Sequence, residues 1–254
     1  MDSSASEPSP SARRAAAAAA APGDVAEGLL VVRPGLVGYA EALAAQRETA
    51  AGVRDRTRPE TLFLLQHSPV VTMGRRATGD HVLLPREALA ERGVELVETD
   101  RGGDVTFHGP GQVVGYPILD LRRRGLGPHT YLRFLEAVLI DVLATYGIRG
   151  FRDPAYTGVW TDHGKVAAMG IRVSGGVSLH GFALNVNTDL RYFGLIVPCG
   201  IQGRAVASMD RILGRTLDIE DVMDRIETAF RADRPREEIA PRAAASHASG
   251  DTHG

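Results

Sequence analysis

Cysteine is almost absent from this 254-residue sequence, which contains only Cys199. A single cysteine cannot form an internal disulfide, so a disulfide-stapled fold is excluded and a reducing compartment is indicated. The sequence also lacks a run of about 18 apolar residues, the length that a helix needs to span a bilayer. We therefore predict a cytoplasmic protein with no membrane partner.

Net charge is almost absent as well. The sequence has 29 Lys and Arg residues against 31 Asp and Glu residues, which gives a formal charge of -2 at pH 7. A protein that attracts nucleic acid or anionic lipid through its overall electrostatic field has a clearly positive net charge. We expect no nucleic-acid partner, and any charged docking must come from a local patch.

Lysine is the third scarcity, because Lys165 is the only lysine and arginine supplies the rest of the Lys and Arg total. A guanidinium keeps its proton, whereas an ammonium group can lose it when its surroundings favour the neutral form. The single retained lysine therefore suggests a group that moves protons. A coding bias toward arginine is the competing explanation.

The two ends of the chain differ in composition from the middle. Residues 1–26 contain Arg13 and Arg14 before an alanine run, but alanine is weakly apolar for a secretory signal, and Asp2 and Glu7 argue against a transit peptide. Residues 233–254 are rich in Pro, Ala, Ser and charge, and their two histidines lack partner ligands for a metal. We predict disordered tails at 1–26 and 233–254, with one folded domain over 27–232.

The middle of the chain contains both strand-like and helix-like segments. Apolar runs bounded by turn residues predict strands at 28–32, at 94–98, and on both sides of the breaks within 61–72 and 105–121. Helical spacing of apolar residues predicts helices at 39–51, 130–146 and 219–230, the last capped by Asp218. Glycine-containing turns within 158–190 predict antiparallel hairpins. Because these elements do not repeat as βαβ units, we predict an α+β fold with a mixed sheet.

Cys199 lies in the segment IVPCGIQG, between a proline and a glycine, where a turn can expose the sulfur. From composition alone, a buried structural cysteine is the more common case. A free thiol with a pKa near 8.5 is only about 3% ionised at pH 7, so a nucleophilic cysteine needs a nearby base or positive charge. No histidine is near Cys199 in sequence, which leaves Lys165, in TDHGKVAAMG, as the candidate partner.

A glycine-rich stretch, RGGDVTFHGPG, runs from Arg101 to Gly111. Its paired glycines allow a bound group to approach the backbone closely, and His108 offers a hydrogen-bond donor or a base. The stretch matches neither the Walker pattern nor the Rossmann pattern of nucleotide-binding loops. By itself it indicates a turn that could line a binding site.

Taken together, the segments RGGDVTFHGPGQ, GKVAAMGIR, SLHGFALNVNTDL and PCG resemble those of the lipoyl(octanoyl) transferases, in the same order and spacing. The resemblance covers roughly residues 28–215. It implies a catalytic domain like that of biotin and lipoate protein ligases, with a mixed and antiparallel sheet flanked by helices. It also implies transfer of an octanoyl group from acyl carrier protein to a lysine of lipoyl domains, in 2-oxoacid dehydrogenase complexes and the glycine cleavage H protein.

The resemblance also assigns roles to residues. Cys199 matches the nucleophile that accepts the acyl group, and Lys165 matches the lysine that lowers its pKa and moves protons. Three stretches match substrate-binding segments of the family: Arg101, Gly102, Gly103, Asp104, Val105, Thr106, Phe107 and His108; Ala168, Met169 and Gly170; and Gly181, Phe182 and Ala183. Exchange between thioesters is nearly balanced and amide formation from a thioester is downhill, so we expect no nucleotide, no metal and no other cofactor.

Two arginine clusters are candidate docking patches, because the carrier proteins of fatty-acid synthesis are acidic. They are Arg122–Arg124 and Arg75–Arg76. Two alternatives to the transferase stay open at this point. One is an ATP-dependent lipoate or biotin ligase on the same scaffold, and the other is a non-catalytic acyl-binding protein. The pairing of Lys165 with Cys199 favours the transferase over both.

Overall fold

A computed structural model describes residues 28–197 and 205–232. Cys199 and both predicted tails lie outside these described residues. Within the two described ranges, no helix combines the length and the apolar character needed to cross a membrane.

The larger of two sheets contains seven strands. They are β1 (Leu30–Val37), β2 (Thr61–His67), β6 (Gln112–Ile118), β7 (Phe151–Arg152), β8 (Val159–Thr161), β9 (Gly164–Ser174) and β10 (Val177–Asn185). Their spatial order is β1-β2-β6-β10-β9-β8-β7. Strands β1 and β2 are parallel, and every other neighbouring pair is antiparallel.

The smaller sheet has three strands in the order β4-β3-β5. These are β3 (Val70–Met73), β4 (Glu95–Glu98) and β5 (Val105–His108). The central strand β3 is parallel to β4 and antiparallel to β5.

Five α-helices accompany the sheets within the described residues: α1 (Tyr39–Arg54), α2 (Arg86–Ala90), α3 (Pro128–Ala144), α4 (Met209–Leu213) and α5 (Ile219–Arg231). Helix α3 begins with a proline, whose missing N–H costs nothing at that position. Helix α5 begins at the predicted cap, where the Asp218 carboxylate accepts a hydrogen bond from Glu220 N at 2.9 Å.

The larger sheet is covered on both faces, which explains why β2 and β6 are buried almost continuously rather than at alternate residues. One face packs against α3 and α5 through a core that includes Leu62, Leu135 and Ile226. The other face packs against α1 in a second core that includes Val53 and Phe63. The smaller sheet has its own core with α2.

The predicted fold class is confirmed: the chain is α+β, with a mixed sheet flanked by helices. The strand predicted at 28–32 is longer, because β1 is an edge strand that accommodates Pro34 in a bulge between Val32 and Gly35. In two places, strands that follow one another in the sequence belong to different sheets. The chain passes from β2 to β3 at Ser68 and Pro69, and from β5 to β6 at Gly109–Gly111.

A buried carboxylate joins α3 to the strands at the edge of the larger sheet. Glu136 Oε2 lies 2.6 Å from Arg133 Nη1 and 3.2 Å from Arg152 Nε, and the Glu136 side chain is 1% exposed. Its other oxygen accepts a hydrogen bond from Gly158 N at 3.1 Å. Glu136 therefore holds the segment that leads into β8.

We expect Glu136→Ala to lower the free energy of unfolding by about 3 kcal/mol, because two arginines lose their buried partner. Glu48→Ala is the matched control. It removes the exposed Glu48–Arg58 pair, whose atoms are 2.5 Å apart, and should cost less than about 1 kcal/mol. Denaturant unfolding measures the free energy of unfolding of both variants. Equal losses would show that the buried Glu136 cluster stabilises the fold no more than an exposed ion pair does.

Candidate active site

A pocket of about 500 Å³ lies between the two sheets, on the α1 face of the larger one. Its floor contains small residues from β9 and β10, which face one another across the antiparallel pair. Ala168 pairs with Ala183, and Gly170 pairs with Gly181. Small side chains at these positions leave room above the sheet for a ligand.

Most of the residues assigned by resemblance line this pocket. They are Arg101, Gly103, Asp104, Val105, Thr106, His108, Lys165, Ala168, Met169, Gly170, Gly181, Phe182 and Ala183. Gly102 and Phe107 do not. Gly102 donates its N–H to Ile171 O at 2.9 Å, and Phe107 stacks on Tyr192 with ring centroids 4.6 Å apart.

Sequence reasoning missed three polar residues that also line the pocket: Tyr39, Tyr116 and His180. Tyr39 and Tyr116 lie in segments whose pattern shows only a helix and a strand. His180 interrupts an otherwise apolar strand and precedes a glycine, and this local break in the pattern was a usable signal.

Lys165 is held by backbone pairing with the segment that follows the undescribed residues 198–204. Its N–H donates to Ala205 O and its carbonyl accepts from Ala207 N, both at 2.9 Å. The Lys165 ammonium lies 5.5 Å from the centroid of the Trp160 ring, a cation–π distance. Gly158 makes room for this side chain, since a Cβ there would lie 2.5 Å from Lys165 Cε.

A second pocket, of about 340 Å³, adjoins the first. Four residues line both: Thr106, Lys165, Ala168 and Ala183. The second pocket extends toward Phe193 and Val206. Lys165 therefore lies where two pockets meet.

Asp104 links the first pocket to the other end of the undescribed segment. Its Oδ2 lies 2.6 Å from His81 Nδ1. The backbone carbonyl of His81 accepts a hydrogen bond from Val197 N at 2.9 Å. Val197 and Ala205 flank the segment that contains Cys199. Ala205 is bonded to Lys165, which lines the pocket, and Val197 is bonded to His81, which contacts the pocket residue Asp104.

A directional chain of hydrogen bonds orients His108. Asn185 Nδ2 donates to Ala207 O, Gln112 Nε2 donates to Asn185 Oδ1, and Gln112 Oε1 lies 2.8 Å from His108 Nδ1. Because Gln112 Oε1 can only accept, His108 Nδ1 carries the proton and Nε2 carries the lone pair. Burial lowers the pKa of His108 to about 3, so the ring is neutral at pH 7 and is poorly suited to the predicted role of base.

His67 and Tyr116 form a second buried pair beside the pocket. His67 Nδ1 lies 3.0 Å from Val37 O, and His67 Nε2 lies 2.7 Å from the Tyr116 hydroxyl. Nδ1 is therefore the donor nitrogen, and the Tyr116 hydroxyl donates to Nε2. Burial lowers the pKa of His67 to about 4 and raises the pKa of Tyr116 well above its usual value. Both groups are uncharged at neutral pH.

Besides Lys165, the described residues that line the first pocket include one arginine, Arg101, and one carboxylic acid, Asp104. Arg101 is 7% exposed, and its guanidinium donates to Thr72 O at 2.6 Å and to Thr72 Oγ1. Asp104 is 8% exposed. Within the described residues, no three His, Cys, Asp or Glu side chains form a group that could hold a metal ion.

The low pKa values of His67 and His108 make stability depend on pH. Below about pH 6.5, an unfolded imidazole binds a proton, whereas the folded rings stay neutral until about pH 4 and about pH 3. Their contribution to stability is therefore complete above pH 6.5 and is lost as the pH falls, by at most about 1.4 kcal/mol per pH unit for each ring.

We expect His67→Gln to reduce the slope of the unfolding free energy against pH, between about pH 6.5 and 4.5, by about 1 kcal/mol per unit. His129→Gln, at an exposed position before the middle of α3, should leave the slope unchanged. Chemical denaturation at several pH values measures both. An unchanged slope in His67→Gln would mean that the folded ring titrates normally.

Comparison with known proteins places this chain in a known family. Residues 38–231 match the lipoyl protein ligase A/B catalytic domain family. An octanoyltransferase of Geobacter metallireducens is 48% identical over 196 residues, which cover 77% of this chain and 89% of that protein. An octanoyltransferase of Rubrobacter xylanophilus is 49% identical over 200 residues, covering 78% and 90% respectively.

Solved structures share the fold at much lower identity. LipL1 of P. falciparum, solved with lipoate, aligns with a TM-score of 0.64 at 15% identity, covering 80% of this chain and 61% of that one. A bi-partite lipoate protein ligase of Thermoplasma acidophilum aligns with a TM-score of 0.58 at 16% identity, covering 81% and 82%. With this fold, and with sequence identity near one half to octanoyltransferases over most of its length, the chain belongs to the lipoyl protein ligase A/B catalytic domain family as an octanoyltransferase, an acyltransferase of protein lipoylation.

Proposed function

We propose that this enzyme takes the octanoyl group from acyl carrier protein, holds it as a thioester on Cys199, and passes it to the lysine of a lipoyl domain. The observation that carries the proposal is the position of Lys165. It lies where two pockets meet, and it is paired through its backbone with the residues that follow the Cys199 segment. A proton-carrying side chain at such a junction can exchange a proton first with the acyl donor and then with the acyl acceptor.

In the first step, the Cys199 thiolate attacks the carbonyl carbon of the donor thioester. A new C–S bond forms to Cys199, the old C–S bond breaks, and the departing thiolate takes a proton from the Lys165 ammonium. In the second step, the neutral amine of the acceptor lysine attacks the Cys199 thioester. The C–N bond forms, the surplus proton on nitrogen passes to Lys165, and the Cys199 thiolate leaves.

The first pocket suits the octanoyl chain, which is unbranched and uncharged. Its floor of alanine and glycine leaves a channel above β9 and β10, and Met169 and Phe182 add apolar surface. The buried rings of His67 and His108 are neutral at pH 7. An alkyl chain therefore need not displace water from charged imidazoles.

The single cysteine makes the thioester directly testable. Incubation with octanoyl carrier protein should add the mass of one octanoyl group to the intact wild-type protein, and hydroxylamine should remove it. Cys199→Ala should gain no mass, because no other thiol exists in the chain. Lys165→Arg should slow acylation by about 100-fold or more, because a guanidinium cannot deliver its proton.

Lys165→Met is the companion variant, since it keeps most of the side-chain length without a charge. Thermal unfolding of each variant checks that the fold is retained. An octanoyl mass on Cys199→Ala would contradict the proposal. So would octanoylation of a lipoyl domain that requires ATP and free octanoate, which would indicate a ligase.

Of the two arginine patches predicted from sequence, the structure favours Arg75–Arg76 as the carrier dock. Both side chains are exposed, and their backbone N–H groups donate to Arg101 O and Gly103 O at 3.0 Å, beside the pocket. Arg122 instead contacts the carbonyl of Gly175 at the far end of β9. Ten residues of strand separate Gly175 from Lys165, which is about 30 Å.

We expect the double reversal Arg75→Glu and Arg76→Glu to raise the KM for octanoyl carrier protein by about 10-fold at low salt, and by less at high salt. The matched control is Arg122→Glu with Arg123→Glu, which changes the same number of charges at the distant patch. Steady-state kinetics at two ionic strengths measures both. A larger rise in KM for the Arg122→Glu, Arg123→Glu variant would indicate that the carrier docks at that distant patch instead.

A further inference from the structure

Strand β9 contains one residue more than its neighbour β8 at the point where Lys165 lies. Val159 pairs with Ala167 and Trp160 pairs with Lys165, which leaves Val166 outside this pairing as a bulge. Successive residues of a regular strand face opposite sides of the sheet, yet Val166 and Ala167 both belong to the core that packs against α3 and α5. The extra residue therefore turns Lys165 to the pocket face. Bulges are common beside active sites, where they redirect a side chain in this way.

The same pairing places the indole of Trp160 beside the lysine. The Lys165 ammonium lies over this ring, 5.5 Å from its centroid. Trp160 is 3% exposed, and its indole N–H donates to Tyr156 O at 3.3 Å. Burial and this hydrogen bond fix the plane of the indole, so the ring offers the cation a surface of set orientation.

A lysine at a catalytic junction needs such a surface, because its four-carbon stem rotates easily. The backbone bonds of Lys165 to Ala205 and Ala207 fix its main chain but leave the stem to other contacts. Gly158 lies against the end of the stem, since a Cβ there would be 2.5 Å from Lys165 Cε. Gly158 and the Trp160 ring therefore bound the ammonium on two sides.

We propose that Trp160 is a positioning residue for acylation: its ring holds the Lys165 ammonium at the junction of the two pockets until that ammonium protonates the departing thiolate. This inference rests on the two-step function proposed above. In that step an N–H bond of Lys165 breaks and an S–H bond forms on the carrier's arm. Lys165 is left as a neutral amine.

The ring should act differently in the two steps, because an aromatic face attracts a cation and has no comparable attraction for a neutral amine. Lys165 enters acylation as the ammonium, which the ring holds. It enters transfer as the neutral amine, which the ring no longer holds and which can turn toward the acceptor lysine. Loss of the ring should therefore slow acylation and have little effect on transfer.

Fluorinated tryptophan tests this contact with little change in the shape of the side chain. Trp160 is the only tryptophan in the sequence, so a tryptophan-auxotrophic host fed with fluorotryptophan labels this ring alone. Each fluorine withdraws electron density from the ring face and weakens its attraction for a cation. Rapid mixing with octanoyl carrier protein measures acylation, and mixing the purified acyl-enzyme with a lipoyl domain measures transfer. We expect acylation to slow stepwise from tryptophan to its monofluoro and difluoro forms, with transfer unchanged.

Substitutions remove the aromatic face altogether. Trp160→Leu should lower the acylation rate by about 10-fold, whereas Trp160→Phe, which keeps an aromatic ring, should retain most of it. The matched control is Phe151→Leu. Phe151 pairs with Trp160 from β7, but its ring contacts the Arg149 guanidinium, 5.7 Å from the centroid, so this variant should change neither step. Thermal unfolding checks that each variant retains the fold.

The Lys165→Met background separates this role from a purely structural one. If the ring acts through the ammonium, fluorination of Trp160 should have no further effect on the slow acylation of Lys165→Met. Equal sensitivity to fluorine in both backgrounds would overturn the inference, as would acylation that does not respond to fluorine or a loss confined to transfer. Failure of the wild type to form any acyl-enzyme would instead refute the proposed function.

Discussion

The separation of the two sheets is the constraint on which the whole site depends. The chain leaves the larger sheet after β2 and returns to it at β6, and the intervening β3, β4 and β5 form a second layer. The return passes through Gly111, which has a φ of 81° and approaches Asn187 so closely that a Cβ would lie 2.5 Å from its carbonyl oxygen. The Gly111 N–H donates to Gln66 Oε1 at 2.7 Å, which fastens the crossing to β2. The first pocket lies between the two layers that this crossing connects.

Opening a pocket inside a protein exposes polar groups that must find partners or lose free energy. Here most of them are satisfied by bonds of fixed direction, such as the chain from Ala207 through Asn185 and Gln112 to His108. These hydrogen bonds determine which nitrogen of the His108 ring carries the proton. The lone pair is therefore on the other ring nitrogen, Nε2. Two atoms of pocket-lining residues depart from this rule, since His180 Nδ1 and Asp104 Oδ1 have no hydrogen-bond partner among the described residues. A mostly satisfied network with a few unsatisfied atoms is the arrangement expected where a ligand completes the bonding.

Local patterns predicted the elements that depend on local forces. The apolar spacing of α3, the Asp218 cap of α5 and the turns between β8, β9 and β10 all follow from neighbouring residues. The division into two sheets did not follow, because strand partners are chosen by distant contacts. Within the glycine-rich motif, Thr106 and His108 line the pocket, while Phe107 between them packs on Tyr192. A motif matched as a block therefore includes Phe107, whose side chain packs on Tyr192 instead of lining the pocket.

The solved ligases share this fold at 15–16% identity, and a fold alone does not select a reaction. A ligase and a transferase on this fold differ in how the acyl group is activated. A free acid must first be activated, whereas a thioester is already reactive and needs only a nucleophile, a proton carrier and a place for the amine. In the proposed cycle, the proton that Lys165 gives to the departing thiolate is replaced by one from the acceptor amine. The enzyme thus ends each turnover in its starting protonation state, and the one lysine in the sequence is sufficient for both steps.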